Sequence, residues 1–184
     1  MHGLRLQIAS RLVVRTGMPI QGPAERYYGS LEGQGRWSGE LVFAVVSWRT
    51  ALSRPRACAI SVLARLVGPL RMSTTLDRQG SDFMHTTRIT KAGFPVFESA
   101  ERLTVGADGR TFRVTGEQRT LLFRRPYQAA GEVSETSSGA TYRIPWAGTD
   151  LVQTTSITSE GIAITQETPS MRGRVLLRRE RHSF

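Results

Sequence analysis

Four neutral polar side chains fall on predicted strand faces that are otherwise apolar. Gln118, for example, shares its face with Phe112 and Val114. A buried amide without a hydrogen-bond partner costs about 1–3 kcal/mol, so a filled core would carry Val, Leu or Ile at such positions. The pattern predicts an apolar cavity with a few hydrogen-bonding groups, the usual composition of a small-molecule site. The alternative is that these groups bond to one another or to buried water. The four residues are Gln118, Tyr142, Gln153 and Gln166.

The acid–base candidates are one histidine and two glutamates. His85 shares a predicted face with Phe83 and Ile89, so it is either a base or hydrogen-bond partner in a pocket or a satisfied imidazole of the core. Glu98 and Glu101 lie on opposite faces of one predicted strand, so at most one of them points inward. A lone inward glutamate among arginines is more often half of a structural ion pair than a catalytic group.

Other kinds of reactive site find little support. The histidines are His2, His85 and His182, and no His-x-His or His-x-x-x-His spacing occurs. The sequence has no Gly-x-Ser-x-Gly elbow, and its glycines at 33, 35 and 39 lack the lysine and serine of a phosphate-binding loop. The lone cysteine, Cys58, sits in an apolar stretch typical of a buried thiol. We therefore expect no metal and no cofactor.

The elements that must position these side chains are strands. From Trp37 onward the hydrophobic pattern has mostly period two, and Asp108-Gly109 is a strong hairpin signal. A series of eight to ten strands joined by short turns closes into an antiparallel up-and-down barrel, which removes exposed sheet edges. We therefore predict an all-β fold of that type. The predicted strands are Leu41–Trp48, Phe83–Thr90, Phe94–Val105, Thr111–Phe123, Tyr127–Thr136, Thr141–Trp146, Asp150–Thr158, Ile162–Thr168 and Met171–Arg179.

Two segments depart from the strand pattern. Thr50–Leu70 has apolar residues at helical spacing, Pro55 near its start and Gly68-Pro69 at its end, which predicts a short helical insertion after the first strand. It would serve as a lid or as a plug of one barrel end. Residues 1–30 form a basic segment that is a second lid candidate, with organelle targeting as the other interpretation, and residues 31–184 form the single barrel domain.

Charge and hydropathy limit the classes of partner that we expect for the protein. The formal net charge is +10, and Lys91 is the one lysine among 25 basic residues. The arginines are spread along the chain, whereas nucleic-acid binders concentrate their charge, so we expect no specific nucleic acid. No apolar run reaches the roughly 18 residues of a membrane span, and no secretory signal is evident. We expect a cytoplasmic protein and leave a homodimer open.

One short motif indicates a family. Gly35-Arg36-Trp37, at the start of the first strand, resembles the G-x-W motif of the lipocalins and the wider calycin group. Thr149-Asp150-Leu151 is similar to a second lipocalin motif but lacks its tyrosine. The resemblance implies that Trp37 closes the barrel floor and that an arginine of the last strand packs across its ring. Of Arg178 and Arg179, alternation favours Arg179 as the inward one.

The layout also resembles bacterial calycin-like cyclases, which fold polyketide-type molecules for intramolecular [4+2] cycloaddition without a cofactor. That resemblance implies Gln118 and Tyr142 as catalytic donors. The alternatives are a non-catalytic carrier of a lipid or pigment, and an interaction module with a filled barrel. The residues that would bind the hydrophobic substrate are Trp48, His85, Phe112, Trp146, Gln153 and Gln166.

Overall fold

The computed structural model describes residues 22–45, 69–120, 124–146 and 149–180. Ten antiparallel strands close into an up-and-down barrel in which every strand pairs with its neighbours in sequence and β1 pairs with β10. This confirms the predicted fold class. The elements are α1 (Pro23–Leu31), β1 (Trp37–Val45), β2 (Leu70–Gln79), β3 (Asp82–Lys91), β4 (Phe94–Val105), β5 (Thr111–Thr120), β6 (Arg124–Val133), β7 (Gly139–Trp146), β8 (Thr149–Thr158), β9 (Gly161–Glu167) and β10 (Met171–Arg179).

Short turns set the order of the strands. Ala92 and Gly93 both have positive φ, 47° and 85°, which gives the β3–β4 hairpin the primed turn that suits twisted strands. In the β4–β5 turn Gly109 has φ 65°, and the carboxylate of Asp108 accepts hydrogen bonds from the backbone N–H of Thr111 and Arg110. Both turns lie where the sequence predicts them.

Helix α1 closes one end of the barrel. It precedes β1 and begins with Pro23, which fits a first helical turn because no backbone donor is needed there. Ala24, Tyr27 and Tyr28 are its buried residues. The ring of Tyr28 meets the edge of Phe112 with the centroids 5.3 Å apart. This helix was not predicted from the sequence.

The helix is fastened at both of its ends. The backbone N–H of Ala24 donates to Gly109 O at 2.9 Å, an approach so close that a Cβ on Gly22 would lie 2.4 Å from the same oxygen. Arg78 of β2 bonds to Glu25 at 2.8 Å and to Glu32 at 2.9 Å. These contacts fix α1 across the turns of the barrel, so this is the closed end.

Trp37 begins β1 at the same closed end. It packs among the buried apolar residues of β1, β9 and β10, as expected for a residue of the barrel floor. Arg179 lies directly opposite Trp37 in the β1–β10 register, but its side chain is exposed, so the prediction that it points inward and packs across the ring of Trp37 is wrong.

A β-bulge in β4 changes the facing residues. Thr90 pairs with Pro95 but Ile89 pairs with Phe97, so Val96 is an extra residue in the strand. Proline suits such a place because it has no N–H for the ladder. Beyond the bulge the register is shifted by one residue, which brings His85 opposite Glu101.

The described ladder between β6 and β7 is short. It pairs Ala130–Val133 with Ala140–Arg143, whereas β6 continues along β5 as far as Arg124 and β7 continues along β8 as far as Trp146. Pro126 and Pro145 lie in these extensions. Both lack a backbone donor, which suits strand segments that do not pair with each other.

Several predicted features lie outside the described residues. They are the helical insertion at 50–70 up to residue 68, the basic segment up to residue 21, Trp48 and Cys58. Among the helices that are described, none has the length and apolar character required to cross a membrane.

Candidate functional site

A cavity of about 180 Å³, here called the upper cavity, lies inside the barrel on the side away from α1. Most of its lining is apolar, which suits the burial of an apolar molecule. These apolar lining residues come from seven different strands, so the closed barrel is needed to assemble them. They include Phe43, Met72, Ile89, Phe97, Ile144 and Leu151.

The first polar group in the wall centres on Glu101, a residue that is 6% exposed. Glu101 Oε2 lies 2.9 Å from His85 Nδ1, and Ser99 Oγ donates to Glu101 Oε1 at 2.7 Å. The hydroxyl of Tyr127 donates to the same carboxylate. Three donors therefore occupy the carboxylate, which makes it a poor acceptor for a ligand.

The ring of His85 is held at both of its nitrogens. Nδ1 bonds to Glu101 Oε2, and Nε2 lies 2.5 Å from Thr74 Oγ1. Thr74 Oγ1 is also bonded to the carbonyl oxygen of Thr86 at 2.8 Å. His85 and Glu101 therefore form a fixed pair in the cavity wall.

This pair explains the titration of Glu101. Burial raises the pKa of Glu101, but the charge of His85 and the hydrogen bonds from His85, Tyr127 and Ser99 lower it further than burial raises it. The net pKa is below that of an ordinary glutamate. Burial, together with the charge of Glu101, raises the pKa of Tyr127, so its hydroxyl remains a donor.

The second polar group is a directed chain of hydrogen bonds. Gln166 Nε2 donates to Gln153 Oε1 at 2.7 Å, and Gln153 Nε2 donates to the hydroxyl of Tyr142. Burial raises the pKa of Tyr142 well above 10, and Glu101 and Tyr27 add to the effect, so the phenol keeps its proton. Because Tyr142 accepts from Gln153, its own proton is left for a ligand, and a chain of bonds in one direction strengthens the last donor.

Gln118 is a third donor in the wall and is 2% exposed. With its amide oriented by its hydrogen bonds, the oxygen accepts from Arg125 Nε at 2.9 Å and from Nη2 at 3.2 Å. This leaves the amide nitrogen as a donor group. The upper cavity therefore offers donors from Tyr142 and Gln118, which match acceptors such as carbonyl oxygens.

Gly116 makes room for the Glu101 group. It lies between Glu101 and Tyr127 in the row of cross-strand neighbours, where a Cβ would be 2.4 Å from Ala100 O. Without a side chain at this position, the phenol of Tyr127 reaches across the strand to Glu101. The glycine is thus part of how the site is built.

Five of the eight predicted site residues line the upper cavity. Phe112 does not, because it is 1% exposed within the aromatic core beneath Tyr28 and Tyr142. Trp48 and the side chain of Trp146 lie outside the described part. The five that are brought together are His85, Gln118, Tyr142, Gln153 and Gln166.

The pairing of Glu101 with His85 was not predicted from the sequence. The prediction that at most one of Glu98 and Glu101 points inward is confirmed, since Glu98 instead pairs with Arg88 on the outer face at 3.1 Å. A regular hairpin around Ala92-Gly93 would set His85 opposite Ala100. Pro95 was the signal for the bulge that changes this register.

Comparisons with known proteins give no match: no family model matches the chain, and no curated protein or solved structure is significantly similar to it. The closed antiparallel barrel is consistent with a calycin-like architecture. Within the described ranges, no group of three or more His, Cys, Asp or Glu side chains is placed to hold a metal ion.

Proposed function

We propose that the barrel binds a mainly apolar small molecule carrying a carbonyl group and promotes its intramolecular [4+2] cyclisation without a cofactor. The observation that carries the proposal is the chain from Gln166 through Gln153 to Tyr142, which ends on a neutral phenol donor at an apolar cavity. A charged or strongly basic ligand would not suit these neutral donors. The proposal keeps the expected cytoplasmic location and leaves a homodimer open.

Catalysis would come from confinement and from hydrogen bonding. The apolar walls hold a flexible chain in a folded shape, which converts a rare conformation into the bound one. Tyr142 and Gln118 donate to a carbonyl conjugated with the reacting alkene, and this withdraws electron density from the alkene. In such a closure two carbon–carbon σ bonds replace two π bonds, so no proton, electron or leaving group has to be supplied.

The ion pair of His85 and Glu101 has a positioning role in this proposal. Its hydrogen bonds are satisfied within the wall, so it fixes Ser99, Tyr127 and Thr74 at the side of the cavity. An unreactive wall protects a carbonyl substrate from addition of water or of a side chain.

A non-catalytic carrier is the second candidate. It is favoured because the polar groups of the wall are already hydrogen-bonded to one another. Gln153 and Glu101 both have partners, so a ligand would gain few new hydrogen bonds. A carrier holds its ligand unchanged, whereas the enzyme releases an isomer of it. The two candidates therefore differ in whether the bound molecule is converted.

The first test is native mass spectrometry on protein from its own producing cells, where a co-purified apolar molecule is expected. The second uses 1,7,9-decatrien-3-one, a linear enone whose diene closes onto its alkene to give a bicyclic ketone. We expect the protein to accelerate this closure over buffer. Tyr142→Phe should lower the rate about two- to tenfold, the effect of losing one well-placed donor of net 0.5–1.5 kcal/mol.

Arg143→Gln is the matched control, because Arg143 is the next residue of β7 and is exposed on the outer face. It should leave the rate unchanged. Binding of the trienone without acceleration would overturn the enzyme and favour the carrier. No co-purified molecule together with no binding of the trienone would contradict a ligand-binding cavity.

A further inference from the structure

A second space in the barrel lies between the polar wall and helix α1. This lower chamber has a volume of about 50 Å³, enough for a small polar group or for more than one water molecule. Its walls near the floor include Leu31, Ile162 and Leu177. These apolar walls exclude a charged group, since an unpaired buried charge is far more costly than a neutral polar atom.

The lower chamber and the upper cavity are neighbours that share lining residues. His85, Tyr142 and Gln153 line both spaces. An elongated molecule that occupies both would pass between His85 on one side and the Tyr142–Gln153 pair on the other. Its leading end would then reach the floor of the barrel.

Most of the polar side chains around the lower chamber have partners. Thr155 Oγ1 donates to Ala140 O at 3.3 Å and accepts from the hydroxyl of Tyr27. Thr74 is engaged with His85 and with the backbone. These groups are therefore satisfied within the protein and need no hydrogen bond from a ligand.

Trp37 is different. Its indole Nε1 is buried and has no hydrogen-bond partner within the described part of the chain, and its side chain lines the lower chamber. A buried donor left unpaired costs about as much as the burial of any other unsatisfied amide-like group. The indole nitrogen donates only, so what satisfies it must be an acceptor.

We propose that the lower chamber is a subsite for a neutral carbonyl oxygen at the leading end of the ligand, and that Trp37 Nε1–H holds it. This inference rests on the proposed ligand-binding function and deepens it. With a second acceptor held at Tyr142, the ligand class becomes an elongated apolar chain with carbonyl groups at two separated positions. A water molecule on Trp37 is the competing occupant.

The test compares two probes of the same shape. 2-Nonanone carries a carbonyl oxygen where 2-methyl-1-nonene carries a methylene group, so only the ketone accepts a hydrogen bond. Their dissociation constants are measured by displacement of the neutral dye N-phenyl-1-naphthylamine from the wild type, Trp37→Phe and Tyr142→Phe. The wild type should prefer the ketone about three- to tenfold, as one hydrogen bond allows.

The variants separate the two donors. We expect the preference for the ketone to disappear in Trp37→Phe and to persist in Tyr142→Phe. A preference that survives in Trp37→Phe overturns the subsite, whether the floor holds water or nothing, and leaves the proposed function intact. Failure of the wild type to bind either probe would count against ligand binding itself.

A fluorescence measurement covers a Trp37→Phe variant that does not fold. The chain has three tryptophans, so the double variant Trp48→Phe, Trp146→Phe leaves Trp37 as the only emitter. Saturation with 2-nonanone should shift the emission of Trp37 to longer wavelength, and 2-methyl-1-nonene should not. Equal spectra with the two bound probes would overturn the subsite.

Discussion

At the scale of single residues, two carboxylates of β4 show how the inner and outer faces of the barrel differ. Glu101 faces inward and is bonded to His85, Ser99 and Tyr127, whereas Glu98 faces outward to Arg88. Solvent screens the outer pair, so its contribution to stability is small. The inner pair is shielded from solvent, and the removal of one partner leaves the other charge uncompensated.

Glu101→Gln tests this difference through pH. The pKa of Glu101 is lowered in the folded chain, so its ionised form stabilises the fold above the unfolded carboxyl pKa of about 4.3. That contribution is lost as the pH falls through the lowered folded pKa. We expect Glu101→Gln to reduce the unfolding free energy by about 3 kcal/mol at neutral pH. Urea unfolding from about pH 7 to about pH 2 should show the deficit shrinking in acid.

Glu98→Gln is the control for that experiment. It removes a carboxylate of the same strand whose ion pair is largely exposed, so the loss should stay below about 1 kcal/mol at every pH. A deficit for Glu101→Gln that is equally large in acid would show that shape or hydrogen bonding, and not charge, explains the effect.

Some of the polar side chains of the cavity wall could be predicted from the sequence. The glutamines and Tyr142 were recognisable because amides interrupt an apolar face of period two, and that needs only the alternation of a strand. Gln166, Gln153 and Tyr142 are hydrogen-bonded to one another, which was the alternative interpretation of this pattern. The link between His85 and Glu101 needed the register, which a single extra residue at Val96 decides.

At the scale of elements, β4 and β10 lie at the predicted bounds, Phe94–Val105 and Met171–Arg179. Both have clear alternation and turn residues beside them. β2 was missed because Leu70–Gln79 has a threonine, Thr74, among its inward residues and follows a segment with helical spacing. Helix α1 was missed because its nine residues include Gly29, which disfavours a helix interior, and because the helix gains its stability from the barrel that it closes.

Helix α1 offers a matched pair of substitutions at neighbouring positions. Tyr28 is buried against Phe83 and Phe112, so Tyr28→Ala should lower the unfolding free energy by about 3–5 kcal/mol. Gly29 is exposed, and a Cβ there would meet only Arg78 Nη2, at 3.9 Å. Gly29→Ala should therefore raise stability by about 0.5–1 kcal/mol, because alanine favours the helix.

Urea unfolding monitored by circular dichroism measures both changes. If Tyr28→Ala costs no more than an exposed substitution, α1 does not plug the barrel. If Gly29→Ala is destabilising, the backbone at that position is not helical. The two outcomes are independent, since one tests packing and the other tests local conformation.

At the scale of the whole molecule, closure depends on the seam between the first and last strands. β1 pairs with β10 through Trp37–Arg179 at one end and Val45–Met171 at the other. Without this seam the ten strands would form an open sheet with two long edges, and the interior cavity would lose a wall. Every other strand pair joins neighbours in sequence, so this is the contact of longest sequence separation in the ladder.

Gly39→Ala tests the seam at a position where a side chain on β1 would meet the backbone of β10. A Cβ on Gly39 would lie 2.2 Å from Leu176 O and 2.9 Å from Leu176 C, and backbone atoms cannot move aside as a side chain tip can. We expect a loss of about 3 kcal/mol in unfolding free energy. Hydrogen exchange should show faster exchange in β1 and β10 than in the wild type, with the β3–β4 hairpin unchanged. Glu40→Gln, at the next and exposed position of β1, should alter neither quantity. Uniformly faster exchange in Gly39→Ala would mean that the barrel opens as one cooperative unit and that its seam is no weaker than its other ladders.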